Sequence, residues 1–167
     1  YDDLLVMAGQ GTAGLELLEQ APDVEVIFVP IGGGGLISGV ATAIKESRPE
    51  VTVIGVEPAT ANDTFLSRQS GKRVAIGGSS TIADGLRASQ PGELTFPLIQ
   101  RYVDDLVLVQ DDEILEAVRH MFRAVRQVVE PSGAASVAAA LKHGGGRRAV
   151  ALVSGGNVDP ALLQGGL

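Results

Sequence analysis

The chain has 167 residues, with 13 Lys and Arg against 20 Asp and Glu, a formal net charge of −7 and no Cys. A chain of this length buries roughly 70% of its unfolded surface and sustains a core without cross-links, and the lack of Cys excludes disulfide scaffolds, thiol catalysis and cysteine-built metal centres, in keeping with a cytoplasmic setting. The acidic balance, with no basic run longer than Arg147-Arg148, and the lack of an apolar stretch near the ~18 residues of a membrane span argue against nucleic acid and membranes as partners.

The chain opens on Tyr1 rather than Met and runs at once into the apolar stretch Leu4 to Ala8, strand-like or helix-like, so it is expected to be part of a longer protein. Residues 12–20 predict a short helix ended by Pro22, and residues 25–29 (EVIFV) a first clear strand. Residues 36–48 predict a helix closed by Pro49. Residues 51–56 (VTVIGV) predict a strand, and residues 62–70 a helix closed by Gly71. Residues 76–96 have no decisive period and are assigned as loop. After the strand at residues 106–109 (LVLV), residues 112–128 carry Ile114, Leu115, Val118, Met121, Phe122, Val125 and Val128 at spacings of three and four. That pattern predicts a long amphipathic helix, with Asp111 as its N-cap. An alanine-rich helix over residues 133–142 stops at Gly144, Gly145 and Gly146, and residues 148–153 predict a last strand. Strands alternating with helices imply a single α/β domain over residues 1–167: an open, mostly parallel twisted sheet with helices on both faces.

Glycine is the compositional signal: there are 22, far above the usual ~7% of a chain. Four of them, Gly32, Gly33, Gly34 and Gly35, stand between a strand and a helix and are followed by Leu36. A strand-to-helix junction without Cβ atoms lets backbone N–H groups surround an anion at the positive end of a helix. The alternative is a flexible turn. No Gly-Lys-Ser/Thr follows, so a nucleotide P-loop is excluded.

A G-x-G-x-x-G pattern occurs at Gly9, Gly11 and Gly14, which leaves a dinucleotide site open. The next strand, however, ends in Pro30-Ile31, where such a site needs an acidic residue. Ser154-Gly155-Gly156-Asn157 follows the last strand and is expected to share the crevice beyond the carboxyl ends of the strands, unless it is an ordinary turn. Glu57 and Asp63 flank another post-strand turn. They either supply two carboxylates and an intervening carbonyl to a hard divalent cation, or Asp63 simply sits in the first turn of the next helix.

The ordered segments AGQGT, PIGGGGLISG, GVEPATAND, TIADGLR, VDDLVLVQDDEI, VEPSGAA and VSGGNVD together resemble the threonine dehydratase, serine racemase and threo-3-hydroxyaspartate dehydratase family. These are pyridoxal-phosphate enzymes of the second fold type, and the similarity corresponds to the carboxy-terminal half of such an enzyme. The resemblance implies that Gly32, Gly33, Gly34, Gly35 and Leu36 hold the cofactor phosphate. Ser154 would bond the pyridine nitrogen, Gly85 would pass close to the cofactor, and Glu130 would lie near its ring. It further implies that Glu57, Asp63 and the carbonyl of Ala61 bind Mg²⁺, or Mn²⁺ or Ca²⁺.

The family's Schiff-base lysine lies in an amino-terminal motif that this sequence does not contain. Lys45 lies ten residues beyond Gly35, about 15 Å along the helix axis, while Lys72 and Lys142 read as surface residues. The implied activity is dehydration and deamination, or racemisation, of a small hydroxy amino acid by a homodimeric complete enzyme. These 167 residues alone are expected to be inactive. A non-catalytic phosphate-ligand module or partner subunit is the alternative.

Overall fold

The structure, a computed structural model, describes residues 1–163. Four parallel strands form one sheet: β1 (Val26–Pro30), β2 (Thr52–Pro58), β3 (Asp105–Val109) and β4 (Ala149–Ala151), in the order β3-β2-β1-β4. Strand β1 is central, buried along its whole length, and apolar at four successive positions, as a strand covered on both faces requires. Its side chains alternate between two cores. Val26 and Phe28 pack with Ile114, Ala117 and Val118 of α5 (Asp111–His120) and with the alanines of α6 (Pro131–His143). Ile27 and Val29 pack with Ile37, Val40 and Ile44 of α2 (Gly35–Ser47) and with Ile99 of α4 (Thr95–Tyr102). Helices therefore cover both faces of the sheet, as expected from the alternation of strands and helices.

Three elements differ from the sequence expectation. Residues 4–8 and 12–20 form one helix, α1 (Leu4–Gln20), capped by the Asp3 carboxylate, which accepts from Leu5 N and Val6 N. Gly11 and Gly14 lie inside it, because tertiary packing outweighs their poor helix propensity. A Cβ on Gly11 would stand 3.3 Å from the Gly39 carbonyl oxygen, and one on Gly14 3.0 Å from that of Val40. The G-x-G-x-x-G pattern thus lies inside a helix, with Gly11 and Gly14 at a helix-helix contact, and not at the strand-turn-helix junction that a dinucleotide site needs.

The second difference is α4, which begins at Thr95, inside the stretch assigned as loop. The third is the long helix over residues 112–128. Helix α5 ends at His120, the chain widens into a π-helical turn over Met121–Val125, and Arg126 turns left-handed at φ 63. Val125 and Val128, counted on its apolar face, are 50% and 51% exposed. Its N-cap is Gln110, because the Asp111 carboxylate instead accepts from Thr81 Oγ1 and Ile82 N.

The remaining boundaries move by at most two residues. Helix α3 spans Asp63–Ser70, and α6 starts at Pro131, a residue preorganised for the first helical position. Strand β4 is shorter than residues 148–153. Among the described residues no helix is long and apolar enough to cross a membrane.

Candidate functional site

Two clusters stand at the carboxyl ends of the strands. The first begins where β1 gives way to α2. Ile31 N still donates to Val56 O at 2.8 Å. Beyond it, the N–H groups of Gly32, Gly33, Gly34, Gly35 and Leu36 find no acceptor among the described residues. Buried N–H groups are almost always satisfied, so five open donors in a row at the head of a helix fit an anion such as a phosphate.

The loop is not slack. A Cβ on Gly32 would come 2.9 Å from Gly85 O, one on Gly34 2.8 Å from Ile99 Cδ1, and one on Gly35 2.9 Å from Tyr1 O. One on Gly33 would run into the Tyr1 ring. Gly34 also adopts φ 93, a left-handed conformation that side chains disfavour. Gly32 and Gly35 are therefore constrained by neighbouring backbone and Gly34 by its conformation, whereas a side chain on Gly33 would have to displace only the exposed Tyr1 ring.

The other expected residues of this cluster form a continuous chain of contacts with the loop. The Gly85 carbonyl faces Gly32, and Gly85 N donates to Ser132 Oγ at 2.9 Å. A Cβ on Gly133, the residue after Ser132 in the first turn of α6, would meet Ser154 N at 3.2 Å and Gly155 O at 3.0 Å. Glu130 closes the circuit. Its backbone N–H donates to Gly155 O at 3.2 Å and its carboxylate accepts from Asn157 N at 2.9 Å. Ser154 is exposed. A cavity of about 560 Å³ opens beside Asn157, bounded by Asp84, Arg87 and Pro131.

The sequence reading missed Ser132, although Glu130-Pro131 is a helix-start signal that marks it as a first-turn residue. It also missed Thr95 and Asp2, which have no local signature. Thr95 Oγ1 donates to Gly33 O at 2.8 Å, and the Asp2 carboxylate accepts from Glu93 N, Leu94 N and Thr95 N.

The second cluster lies where β2 meets α3. Glu57 is 1% exposed, and its two carboxylate oxygens accept from Thr64 N at 2.9 Å and Phe65 N at 2.8 Å. Asp63 is 0% exposed, and neither of its carboxylate oxygens has a hydrogen-bond partner. Burial, and then the neighbouring Asp63 charge, push Glu57 up to about 8; burial pushes Asp63 up to about 6. Ala61, between them, is buried. Two buried carboxylates, one of them orphaned, fit a hard cation with oxygen ligands. Among the described residues no group of three or more His, Asp and Glu converges, so a cation here would complete its shell with carbonyls or water.

The three lysines are engaged elsewhere or stand free in solvent. Lys45 Nζ meets Asp104 Oδ2 at 2.7 Å and donates to Pro49 O at 3.1 Å. Lys142 Nζ pairs with Glu113, and Lys72 is exposed.

The glycine loop, the Ser-Gly-Gly-Asn turn and the helix heads thus meet at the carboxyl ends of the strands, where open parallel α/β sheets bind their ligands. A family profile described as "Pyridoxal-phosphate dependent enzyme" matches residues 1–155, and the chain belongs to that family. It is 45% identical over 166 residues to the L-threonine ammonia-lyase of Thermotoga maritima, which covers 98% of this chain and 41% of the relative. It is 43% identical over 171 residues to the serine racemase of Arabidopsis thaliana, covering 98% of this chain and 51% of the relative.

Among solved structures, the processed form of threonine deaminase isoform 2 from Solanum lycopersicum superposes with a TM-score of 0.95 at 38% identity. That match covers 100% of this chain and 52% of the other. Maize serine racemase matches with a TM-score of 0.88 at 43% identity over 94% of this chain and 50% of the other. The chain thus spans about half the length of the relatives it matches.

Proposed function

We propose that this chain forms the cofactor-holding part of an enzyme that dehydrates and deaminates, or racemises, a small hydroxy amino acid such as serine, threonine or 3-hydroxyaspartate. The observation that carries the proposal is the row of five open N–H donors from Gly32 to Leu36, sterically fixed at the head of α2. When bound, pyridoxal phosphate supplies an electron sink that makes the Cα–H bond of an amino acid acidic.

The protein's part is to hold and orient. The N–H groups of Gly32, Gly33, Gly34, Gly35 and Leu36 bind the phosphate, and charge-assisted bonds of this kind are about twice as strong as neutral ones. Ser154 presents a neutral hydroxyl to the pyridine nitrogen, which a carboxylate would instead keep protonated. Gly85, held by Ser132, lets the backbone approach the cofactor, and Glu130, held on Asn157 N, borders its ring. Glu57, Asp63 and the Ala61 carbonyl bind Mg²⁺ or a similar ion, which neutralises two buried carboxylates.

None of Lys45, Lys72 and Lys142 serves as the Schiff-base lysine, a reading supported by the ion pairs of Lys45 and Lys142. These 167 residues alone therefore bind the cofactor reversibly and do not catalyse.

Fluorescence titration with pyridoxal phosphate and with pyridoxal tests the cradle. Pyridoxal, which lacks the phosphate, should bind at least about tenfold more weakly, and inorganic phosphate should displace pyridoxal phosphate. Equal affinities would overturn the assignment. Borohydride treatment of the mixture should leave the lysines unmodified, and a stoichiometric reduced adduct on one of them would refute the lysine assignment.

A further inference from the structure

Among the described residues, the Gly33 carbonyl is the one group of the glycine loop hydrogen-bonded to a buried side chain. It accepts from Thr95 Oγ1 at 2.8 Å and from Gly92 N at 3.3 Å. The peptide joining Gly33 to Gly34 is trans, as there is no cis bond among the described residues. In a planar trans peptide the C=O and the following N–H point in opposite directions. Holding Gly33 O toward α4 therefore holds the Gly34 N–H away from α4. A flip of the same peptide would turn the carbonyl oxygen toward the side from which the loop offers its donors, where an anion would be repelled.

Thr95 is itself fixed from both sides. It is 0% exposed, its N–H donates to Asp2 Oδ1 at 3.3 Å, and its carbonyl accepts from Ser38 Oγ of α2 at 3.3 Å. A Cβ on Gly34 would stand 2.9 Å from Thr95 Oγ1, so the hydroxyl lies directly against the loop.

We propose that Thr95 is a positioning residue that locks the Gly33–Gly34 peptide so that the Gly34 N–H faces a phosphate ester. This rests on the phosphate-cradle assignment above. The hydroxyl touches neither ligand nor reacting atoms; it selects one of two orientations of a loop peptide that glycine leaves free to rotate.

The test is a titration of the full 167-residue chain with pyridoxal phosphate and with pyridoxal, in wild type, Thr95→Val and Thr95→Ser. Val keeps the shape and removes the donor, and Ser keeps the donor. Loss of one such bond should weaken pyridoxal phosphate binding roughly fivefold to tenfold in Thr95→Val, leave pyridoxal binding unchanged, and be restored in Thr95→Ser. If Thr95→Val keeps the wild-type ratio of the two affinities, or lowers both affinities together, the proposal is overturned while the cradle stands. A wild type that fails to prefer pyridoxal phosphate overturns the cradle and this proposal with it. Should Thr95→Val not fold, Thr95→Cys, a weak donor of similar volume, is titrated in its place. A smaller loss confined to pyridoxal phosphate is expected, and an unchanged ratio overturns the proposal.

Discussion

Asp63 is fully buried with both carboxylate oxygens unpartnered, next to Glu57 in the same turn. Without a cation the pair favours protons. The ordinary values of 4.5 and 3.8 rise to about 8 for Glu57 and about 6 for Asp63. The folded chain then binds more protons than the unfolded chain between about pH 4 and pH 8, so cation-free stability falls as pH rises through that window. The thermal midpoint measured against pH should show this decline, and Mg²⁺ should reverse it near pH 8, where Asp63 is ionised and the cation competes with the remaining proton on Glu57. Glu57→Gln should flatten the upper part of the decline and remove the response to Mg²⁺. A wild-type midpoint indifferent to Mg²⁺ at pH 8 would dismiss the cation site. Most of this residue-level chemistry is visible in the sequence, because its groups are neighbours in the chain: four glycines in a row, Ser154 with Gly155 and Gly156, and Glu57 six residues before Asp63.

At the scale of elements, the crossing of α1 over α2 shows how far local patterns reach. Gly9, Gly11 and Gly14 look alike in the sequence and do different things. A Cβ on Gly9 would meet nothing within 4 Å, whereas one on Gly39 of α2 would run into the Met7 carbonyl and stand 2.7 Å from Gly11 N. Gly9→Ala should therefore stabilise the chain by about 1 kcal/mol through helix propensity alone. Gly39→Ala should destabilise it by about 1–3 kcal/mol by forcing the helices apart. Denaturant unfolding of the two variants measures both, and similar effects in the two would contradict the crossing. Helix α5 is readable from its spacing of three and four only as far as His120. Beyond it the apolar residues continue, but Val125 and Val128 remain half exposed, so the period no longer reports a buried face.

Over the whole molecule, the first residues are tied to the middle of the chain. The Asp2 carboxylate accepts from Glu93 N and Leu94 N at 2.8 Å each and from Thr95 N at 3.3 Å. It thereby caps α4, whose own N-cap residue, Leu94, offers no side-chain bond. Partial burial alone would raise the Asp2 carboxyl. The three N–H donors, with the Arg73 charge, outweigh it and hold the group below its ordinary value. Its contribution is therefore present above about pH 4 and lost as pH falls through the depressed folded-state value. Asp2→Ala should cost about 1 kcal/mol at neutral pH, within the range for a lost helix cap, and should erase that part of the acid sensitivity. An unaltered acid limb in a folded Asp2→Ala chain would show that the cap carries no weight.

The sequence alone determined the strand order along the chain, the two-faced burial of β1 and the loops at the strand ends that carry the candidate chemistry. Each of these is written in residues a few positions apart, where period and turn chemistry act. The tertiary structure decided the crossing of α1 and α2, the existence of α4 and the clamp of Thr95 on Gly33. These depend on hydrogen bonds and close approaches between residues tens of positions apart, and the packing that makes them favourable leaves no period in the sequence. The four glycines marked where an anion could sit; Thr95, 62 residues from Gly33, determines which way the loop's peptide faces.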